Sequence, residues 1–581
     1  MKMFRKKTCR KLFFFGIMVI RMMKFWKKSY DEGITDLDPS LWETTLTQAF
    51  RPSLEGFAQK LALEYMGVEV TFGDLDHFSN KFAHMLLEKG IKKGDVVGLN
   101  LANMPQYVIA LLGVLKIGGV VTGVSPLLSE EQLLYQLEDS GAKALVTLDA
   151  VFEKRLVSIA PKLPQLKLVV TTNIGDFLSK VKQILGKLFK KIPTGKVIPL
   201  EGKEIVDLWT TINSDYPSSL PEANVTPDDL AFVLYTGGTT GPPKGAMLTH
   251  RNFVSDMILV QTWLNWTKGT GSALSGFPFF HVAGLTFLSN CLYLGWPQLL
   301  VPNPRDTDLI CDLIKKYQPT ALVNVPSLFQ LLVKNPKFKN LDHSKLDICI
   351  SSAAPFPVET QKELESVVGK GKILEVYGMT ECSPLTTMNP YRGTKKLGSI
   401  GLPLMNTDLK LIDPETGKEV PIGEPGEIHV KGPQIMKGYL NKPEETKNTI
   451  KEDGYLRTGD VAVFDEDGYL KIVDRTKDML IVGGFKVFST KVEDIISNHP
   501  SVDTVAIVGT PNPDRPGSEI VKGYFVISTE YEDEDKFKES LTKWMKEKLS
   551  PYEVPKIIEL RKELPLTLVG KVDKKLLRKD G

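Results

Sequence analysis

The chain of 581 residues is too long for one ordinary domain and predicts roughly three or four folding units. Its hydrophobic share of 42% and charged share of 25% are typical of a globular protein. The net charge is +3, but residues 1–28 carry ten Lys or Arg and no acid. The remainder has 63 basic and 70 acidic groups. Because it is slightly acidic, its charge does not indicate nucleic-acid binding.

The N-terminal extension, residues 1–39, contains an apolar run between basic residues. Leu12–Ile20 is nine residues long, whereas a membrane-spanning helix needs about twenty apolar residues. The residues that follow offer no small-residue cleavage site of the kind that ends a signal peptide. Two interpretations remain open: a basic, aromatic anchor in a membrane interface, and an upstream extension with the working start near Met22 or Met23.

Helices and strands alternate in the first half of the chain. Thr71–Gly90 is a predicted helix that begins with a Thr71/Asp74 capping box and ends at a glycine. Val96–Leu101 is a predicted strand, and Pro105 opens the next helix. This alternation predicts an α/β fold with doubly wound parallel sheets covered on both faces. Ligands of such folds bind at the carboxyl ends of the strands.

An amphipathic segment, Asp176–Lys191, follows this region and contains five lysines and a single acid. Its apolar residues recur at helical spacing: Phe177, Leu178, Val181, Ile184, Leu185, Leu188 and Phe189. Such a pattern fits a helix that lies on an anionic membrane surface. It also fits a helix docked on the protein core with its lysines in water, and both interpretations remain open.

A glycine-rich loop, Tyr235–Gly245 (YTGGTTGPPKG), follows the apolar strand Leu230–Leu234. Its four glycines, three threonines and one lysine suit a polyphosphate, because glycines let amide N–H groups approach an anion closely and lysine adds a cation. The common P-loop needs Gly-Lys-Ser/Thr at the start of a helix, whereas Lys244 lies between Pro243 and Gly245. The loop therefore predicts a different kind of phosphate site.

The pattern changes at about Lys477, from which a small α+β domain, residues 477–581, is predicted beside a large domain, residues 40–476. The predicted elements of the small domain are a helix at Thr490–Asn498, strands at Thr504–Val508 and Ile520–Ile527, and a helix at Asp533–Leu549.

The cysteines are sparse, odd in number and without a CxxC pair: Cys9, Cys291, Cys311, Cys349 and Cys382. This usage indicates a reducing compartment and argues against a disulfide framework or a zinc site. We therefore expect a cytoplasmic location. The membrane interpretations of Asp176–Lys191 and the basic N-terminus, which remain open, would place the protein peripherally on the cytoplasmic face of a membrane. Cys382 is expected to be a small buried residue.

The phosphate loop resembles that of the adenylate-forming (AMP-binding) superfamily, which includes acyl-CoA synthetases, luciferases and the adenylation domains of peptide synthetases. Gly238, where serine is usual, and the following Ala246–Asn252 (AMLTHRN) resemble bacterial long-chain fatty-acid–CoA ligases. The resemblance covers roughly residues 40 to 580 through further motifs in order: Tyr377–Glu381, Gly426–Gly438, Tyr455–Asp460, Asp474–Gly484 and Gly570–Lys571.

The resemblance implies that ATP and Mg²⁺ activate a fatty acid to an acyl adenylate, and that the acyl group then moves to coenzyme A, giving acyl-CoA, AMP and pyrophosphate. It implies a large N-terminal domain of doubly wound sheets with a small barrel-like part, and a small C-terminal domain that moves about a hinge at Lys477. Ser489 stands where proline is usual and Lys491 where an acid is common, which affects only the local loop and hinge energetics.

The resemblance also assigns the substrates to named residues. The residues that would bind the β- and γ-phosphates of ATP are Thr236, Gly237, Gly238, Thr239, Thr240, Gly241 and Lys244. The residues that would surround adenine and the α-phosphate are Ala353, Ala354, Pro355, Tyr377, Gly378 and Thr380. Glu381 would bind Mg²⁺, Asp460 and Arg475 the ribose side, and Lys571 the carboxylate and α-phosphate during adenylation. Lys244, Thr380, Glu381 and Lys571 would thus be the catalytic residues.

For the remaining substrates, the resemblance places CoA at Gly483, Gly484 and Phe485, and the acyl end of the pocket at His281. Plainer interpretations stay open: His281 as a satisfied core histidine, Asp460 as a turn residue and Arg475 in a surface ion pair. The alternative functions are adenylation of another acid (an aryl or medium-chain acid, or transfer to a carrier protein) and a catalytically silent membrane-associated scaffold. CoA is the expected acceptor because only ten residues follow Lys571.

Overall fold

A computed structural model describes residues 24–189, 192–236, 242–483, 485–513, 515, 518–530, 533–566 and 572–580. These residues form two compact units. The larger unit comprises Ser29–Asp408 and Lys431–Gly454, and the smaller unit comprises the described parts of Met1–Lys28, Leu409–Val430 and Tyr455–Gly581. The predicted hinge residue Lys477 lies inside the smaller unit, and its role as a hinge stays a prediction.

The strands, numbered in chain order, are β1 Leu61–Tyr65, β2 Val68–Thr71, β3 Val96–Asn100, β4 Val120–Gly123, β5 Ala144–Leu148, β6 Leu168–Thr172, β7 Glu204–Asp207, β8 Leu230–Thr236, β9 Lys244–Thr249, β10 Ala273–Ser275, β11 Gln298–Leu300, β12 Ala321–Asn324, β13 Ile348–Ser351, β14 Ile373–Gly378, β15 Leu385–Met388, β16 Leu402–Pro403, β17 Asp408–Ile412, β18 Gly426–Lys431, β19 Gly438–Tyr439, β20 Leu456–Phe464, β21 Leu470–Arg475, β22 Leu480–Val482, β23 Phe485–Val487, β24 Val502–Pro511, β25 Glu519–Ile527 and β26 Ile557–Leu560.

The α-helices, numbered likewise, are α1 Leu46–Gly56, α2 Phe72–Glu88, α3 Pro105–Lys116, α4 Glu130–Asp139, α5 Asp149–Val151, α6 Val157–Ile159, α7 Lys180–Leu188, α8 Leu208–Ile212, α9 His250–Trp263, α10 Val282–Leu294, α11 Thr307–Tyr317, α12 Pro326–Lys334, α13 Pro336–Lys339, α14 Val358–Val368, α15 Pro443–Thr449, α16 Ser489–Ile496, α17 Glu534–Lys548 and α18 Lys574–Lys579. Other short helical turns are Phe25–Ser29, Pro39–Trp42, Phe152–Leu156, Ala160–Lys162 and Thr380–Cys382.

Two large sheets form the larger unit. One has the strand order β19-β9-β8-β4-β3-β5-β6-β7 and the other β16-β15-β14-β13-β12-β10-β11-β1-β2. The central pairs are parallel, and antiparallel pairs lie at the edges. Strands such as β4, β5 and β6 are buried along their whole length, as parallel strands covered on both faces must be. The predicted α/β class is confirmed.

The predicted helix at Thr71–Gly90 is confirmed as α2. Thr71 and Asp74 form the expected capping box at its N-terminus. Helix α3, beside it, is buried at every position, and Gly113 permits this close packing. A Cβ at Gly113 would lie 2.6 Å from the ring of Phe82 and 3.0 Å from the carbonyl oxygen of Ser79, so a side chain there would push the two helices apart.

Three further sheets form the smaller unit. Their strand orders are β17-β18-β20-β21, β22-β23 and β24-β25-β26. Helices α16 and α17 cover the third sheet, with Val492, Ile496, Leu541 and Met545 in one apolar core. The predicted order of helix, two strands and helix is confirmed, with boundaries shifted by a few residues.

The amphipathic segment differs in part from its prediction. Helix α7 begins at Lys180 rather than Asp176, because the Asp176 carboxylate accepts hydrogen bonds from Thr172 Oγ1 (2.7 Å) and from the backbone N–H of Asn173 (2.8 Å) and closes a turn. Leu178 is buried, and Phe177 packs edge-on against Trp209. Lys190 and Lys191 lie outside the described residues. Among the described helices, none is both long and apolar enough to cross a membrane.

Candidate active site

The phosphate loop joins the antiparallel strands β8 and β9. Thr236 pairs with Lys244 across the two strand ends, and Thr236 Oγ1 donates to the Lys244 carbonyl oxygen at 3.5 Å. Since β8 runs parallel to β4, the loop leaves the sheet at the carboxyl edge, where ligands of this fold class bind. The other predicted phosphate residues, Gly237, Gly238, Thr239, Thr240 and Gly241, lie outside the described residues.

The cation of the loop contacts two residues that the sequence did not reveal. Lys244 Nζ forms an ion pair with Glu445 of α15 and lies 5.2 Å from the centroid of the Tyr439 ring. Tyr439 lies beside Lys244 because β19 pairs with β9, which places Tyr439 opposite Ala246. The Glu445 side chain is 48% exposed, so water screens this pair and phosphate oxygens can compete for the ammonium.

The predicted metal-binding carboxylate is part of the same arrangement. Glu381 is buried, and its Oε1 accepts a hydrogen bond of 2.6 Å from the hydroxyl of Tyr439. Burial, together with the adjacent charge of Glu381, raises the pKa of Tyr439, which keeps its hydroxyl protonated as the donor. Tyr439 thus connects the Glu381 carboxylate with the cation of Lys244.

The predicted adenine residues lie at one edge of the second large sheet. The turn Ala353–Pro355 follows β13, and Tyr377 lies near the end of the adjacent parallel strand β14. Ala353 has φ +73°, a left-handed conformation that costs energy for a residue with a side chain and is concentrated at functional sites. At Gly378 a Cβ would lie 1.9 Å from the Pro384 carbonyl oxygen, so only glycine fits beside this edge.

The neighbouring motif residues have defined structural roles. Thr380 opens the short turn Thr380–Cys382, and Cys382 is fully buried, as expected. His281 caps α10, where its Nδ1 accepts a hydrogen bond of 3.3 Å from the N–H of Ala283. This cap accounts for a histidine at the position, and a role at the acyl end of the pocket stays a prediction.

The ribose pair lies in the smaller unit. Asp460 and Arg475 stand opposite each other on β20 and β21, with 3.2 Å between Arg475 Nε and Asp460 Oδ1. The Arg475 side chain is 41% exposed, so the pair is screened by water and adds little to stability. The geometry fits both open interpretations, an ion pair in the free protein and a ligand-binding pair.

The predicted CoA residues surround a tight turn between β22 and β23. Gly483 has φ +59°, and its N–H donates to Ser518 Oγ at 2.8 Å. Phe485 is 57% exposed and stacks on Tyr552, with ring centroids 4.6 Å apart. An exposed, supported aromatic ring of this kind is a ready contact for a ligand. Gly484 lies outside the described residues.

The last predicted residues in this part of the chain are the hinge lysine and the catalytic lysine. Lys477 is exposed and follows the end of β21 by two residues. Lys571 lies outside the described residues, as does Gly570. Leu566 and Val572, on either side of that segment, form an antiparallel bridge, and α18 begins shortly after it.

Sequence comparisons match nearly the whole chain. The family described as AMP-binding enzyme matches residues 50–440, and the one described as AMP-binding enzyme C-terminal domain matches residues 491–571. A long-chain-fatty-acid–CoA ligase of Escherichia coli O6:H1 is 38% identical over 574 residues, covering 96% of this chain and 99% of that protein. Its counterpart in Bacillus subtilis is 36% identical, covering 95% and 97%.

Solved structures agree with the sequence matches. The anthranilate CoA ligase AuaEII in complex with anthranoyl-AMP superposes with a TM-score of 0.80 at 26% identity, covering 94% of this chain and 99% of that one. ATP-bound MatB from Rhodopseudomonas palustris superposes with a TM-score of 0.79 at 27% identity, covering 92% and 99%.

Proposed function

The chain belongs to the AMP-binding enzyme family, and we propose that it is a long-chain fatty-acid–CoA ligase that forms AMP. The observation that carries the proposal is the group formed by Lys244, Tyr439 and Glu381, which brings the end of a phosphate loop to a buried carboxylate. Long-chain-fatty-acid–CoA ligases that match this chain over nearly their whole length indicate the substrate class.

The reaction divides into two balanced steps. A fatty-acid carboxylate oxygen attacks the α-phosphorus of ATP, a P–O bond forms, and pyrophosphate leaves. The thiol of CoA then attacks the acyl carbon and loses its proton, a C–S bond forms, and AMP leaves. Negative charge spreads over phosphate oxygens in the first step, so cations and N–H donors are the groups needed rather than a protein nucleophile.

In the larger unit, Lys244 provides the cation for the β- and γ-phosphates and exchanges its pairing with Glu445 for phosphate oxygens. Thr236 and the loop after it hold the same phosphates, and Thr380 contacts the α-phosphate. Tyr377 and the turn Ala353–Pro355 enclose adenine. The strained φ of Ala353 supports this assignment, because such a conformation persists only where its surroundings require it.

The residues around Glu381 fit a magnesium ion. Mg²⁺ prefers carboxylate and phosphate oxygens and keeps several waters, and among the described residues no group of three or more His, Cys, Asp or Glu could enclose a metal by itself. Glu381 would be the protein ligand of such an ion, and the nucleotide and water would provide the others. When bound, the ion neutralises charge on the phosphates, and Tyr439 fixes the orientation of the carboxylate.

In the smaller unit, Asp460 accepts hydrogen bonds from the ribose hydroxyls and Arg475 adds a contact beside it. Lys571 serves the first step by holding the carboxylate and the α-phosphate together. Gly483, Gly484 and Phe485 serve the second step by binding CoA. The domain of residues 477–581, which carries Lys571 and the CoA-binding residues, turns about Lys477 between the two steps.

The products test this function directly. With ATP, Mg²⁺, a long-chain fatty acid and CoA together, we expect acyl-CoA, AMP and pyrophosphate in equal amounts. Without CoA, fatty-acid-dependent exchange between ATP and pyrophosphate should persist, because the first step is reversible. ADP and orthophosphate as the nucleotide products would contradict the proposal, and absence of exchange would favour the silent scaffold. Acids from acetate to oleate, compared in the same assay, would give the preferred chain length.

The second proposal is that α7 holds the protein on an anionic membrane surface. Within the part of the chain that the structure describes, nothing covers the apolar face of α7: Val181, Ile184, Leu185 and Leu188 are 66%, 66%, 46% and 71% exposed. A docked helix would bury these residues, so their exposure favours the membrane interpretation. Lysines beside the face add attraction to anionic headgroups, and the same surface is where long-chain acids partition from water.

Vesicle binding tests this proposal. The double variant Ile184→Ser and Leu188→Ser should bind vesicles of mixed zwitterionic and anionic lipid at least about tenfold more weakly, because each buried apolar side chain contributes roughly 1.5–3 kcal/mol. Leu127→Ser is the matched control, since Leu127 is 67% exposed but lies outside α7. Equal binding by the double variant and the wild type, in sedimentation with vesicles, would show that α7 does not contact the bilayer.

A further inference from the structure

One carboxylate in the smaller unit connects segments on both sides of the proposed hinge. Asp474 lies on β21, three residues before Lys477, and is fully buried. Its Oδ2 accepts the N–H of Ser489, and its Oδ1 accepts the hydroxyls of Ser489 and Thr490 at 3.1 Å each. Ser489 and Thr490 begin α16, whose preceding residue, Phe488, provides no side-chain cap. Asp474 therefore caps this helix from across the hinge.

A cation from α18 completes the cluster. Lys574 Nζ donates to Ser489 Oγ at 2.8 Å and lies 2.7 Å from Glu493 Oε1. A hydroxyl can donate its proton and accept another at the same time, so Ser489 gives its proton to Asp474 and accepts one from Lys574. Burial raises the pKa of both carboxyls, that of Glu493 to about 7, whereas the charge of Lys574 lowers both. Lys574 is thus their common counter-ion.

A second ion pair attaches α18 to the residue that directly follows the proposed hinge. The guanidinium of Arg578 contacts the carboxylate of Asp478, which directly follows Lys477. The N–H of Asp478 in turn donates to the Arg475 carbonyl oxygen at 2.9 Å. Helix α18 is therefore attached to Asp478, immediately after the proposed hinge, and through Ser489 to Asp474, three residues before it.

We propose that Ser489 and Lys574 are positioning residues that latch α16 and α18 to Asp474, and that this latch sets how the protein divides between its two domain orientations. The inference rests on the proposed hinge at Lys477 and the two proposed half-reactions. Rotation about Lys477 moves Ser489, Thr490 and Lys574 relative to Asp474, so the latch must open in one of the two orientations. Hydrogen bonds to charged groups are the strong ones, and their removal shifts the balance towards the unlatched orientation.

The test variant is Ser489→Pro. Proline fits the first position of a helix but has neither an N–H nor a hydroxyl, so it removes both Ser489 donors to Asp474 and preserves α16. Single-turnover rates should be measured for adenylate formation and for transfer from supplied acyl adenylate to CoA. We expect the two rates to move in opposite directions, with their ratio changed by about tenfold, the effect of one hydrogen bond to a charged group.

Three further variants separate positioning from folding. Ser489→Thr keeps both donors and should restore the wild-type ratio. Ser497→Ala removes an exposed hydroxyl at the other end of α16 and should leave the ratio unchanged. The double variant Lys574→Met and Glu493→Gln removes a cation and its carboxylate together, and should change the ratio in the same direction as Ser489→Pro.

Thermal unfolding of each variant completes the test. If Ser489→Pro left the ratio unchanged, or lowered both rates together in step with a lower melting temperature, the latch would be overturned. Failure of the proposed function would look different, because the wild type itself would then form no acyl adenylate.

Discussion

Lys571→Ala should reduce adenylate formation by several orders of magnitude and leave thioester formation nearly intact. In the proposed mechanism this lysine holds the attacking carboxylate and the α-phosphate in the first step only, and removal of one preorganised charge at a transition state costs about 10²–10³ in rate. Loss of correct orientation of the two reactants adds to this effect. Single-turnover measurements would follow adenylate formation from ATP and fatty acid, and separately the transfer of a supplied acyl adenylate to CoA.

Lys575→Ala is the matched control for this variant. Lys575 is an exposed lysine on α18, so its removal changes the net charge equally without touching the proposed role. Both half-reactions should proceed at the wild-type rate in this control. An equal loss of both steps in Lys571→Ala would mean that Lys571 maintains the fold or serves both orientations, and its assignment to adenylation would be wrong.

Glu381→Gln should raise the Mg²⁺ concentration that adenylation requires. The amide keeps the shape of the side chain and can accept the Tyr439 hydroxyl, but it has no charge for the metal. The Mg²⁺ concentration at half-maximal rate should rise by more than about tenfold, since even groups one step removed from a metal cost 10–100-fold in affinity or activity. Titration of pyrophosphate release against Mg²⁺ would measure this.

Tyr439→Phe separates charge from orientation at the same site. It removes the 2.6 Å hydrogen bond to Glu381 and keeps the carboxylate charge, so the Mg²⁺ requirement should rise less than in Glu381→Gln. If the Mg²⁺ dependence of Glu381→Gln equalled that of the wild type, Glu381 would not be the metal ligand, and its buried carboxylate would have a structural role.

Local patterns predicted the fold well. The capping box of Thr71 and Asp74 and the apolar periodicity after it depend only on neighbours in the chain, and α2 follows them closely. The start of α7 was wrong by four residues because Asp176 is used in a turn with Thr172. An aspartate that caps a helix and an aspartate that closes a turn look alike in sequence, and the groups that donate to it decide between them.

The candidate site was predictable only where its residues belong to contiguous motifs. Glu381 and Lys244 stand out in this way, but the residues that contact them do not. Tyr439 is 58 positions from Glu381, and Glu445 is 201 positions from Lys244. These contacts depend on the pairing of β19 with β9, which no local signal specifies. Gly438, the last residue of the motif Gly426–Gly438, directly precedes Tyr439 and was the motif residue nearest to it in the sequence.

Ser489 shows a different limit. Its departure from the usual proline was visible, and we expected an effect on the local loop and the hinge energetics only. The sequence could not show that the extra N–H and hydroxyl both reach Asp474, or that Lys574 approaches from α18. A substitution at the first position of a helix changes the local backbone little. Its effect therefore depends on which residues from the rest of the chain contact that position.

The uncovered apolar face of α7 has a kinetic consequence. Long-chain fatty acids in water gather into bilayers and mixed micelles whose surfaces are negatively charged by their own carboxylates. On the proposed membrane contact of α7, the exposed Ile184 and Leu188 between lysines would bind such an aggregate as readily as a membrane, and the enzyme would meet its substrate at an interface. Its rate then follows the amount of acid per unit of surface rather than the total concentration, and a neutral detergent slows the reaction by surface dilution.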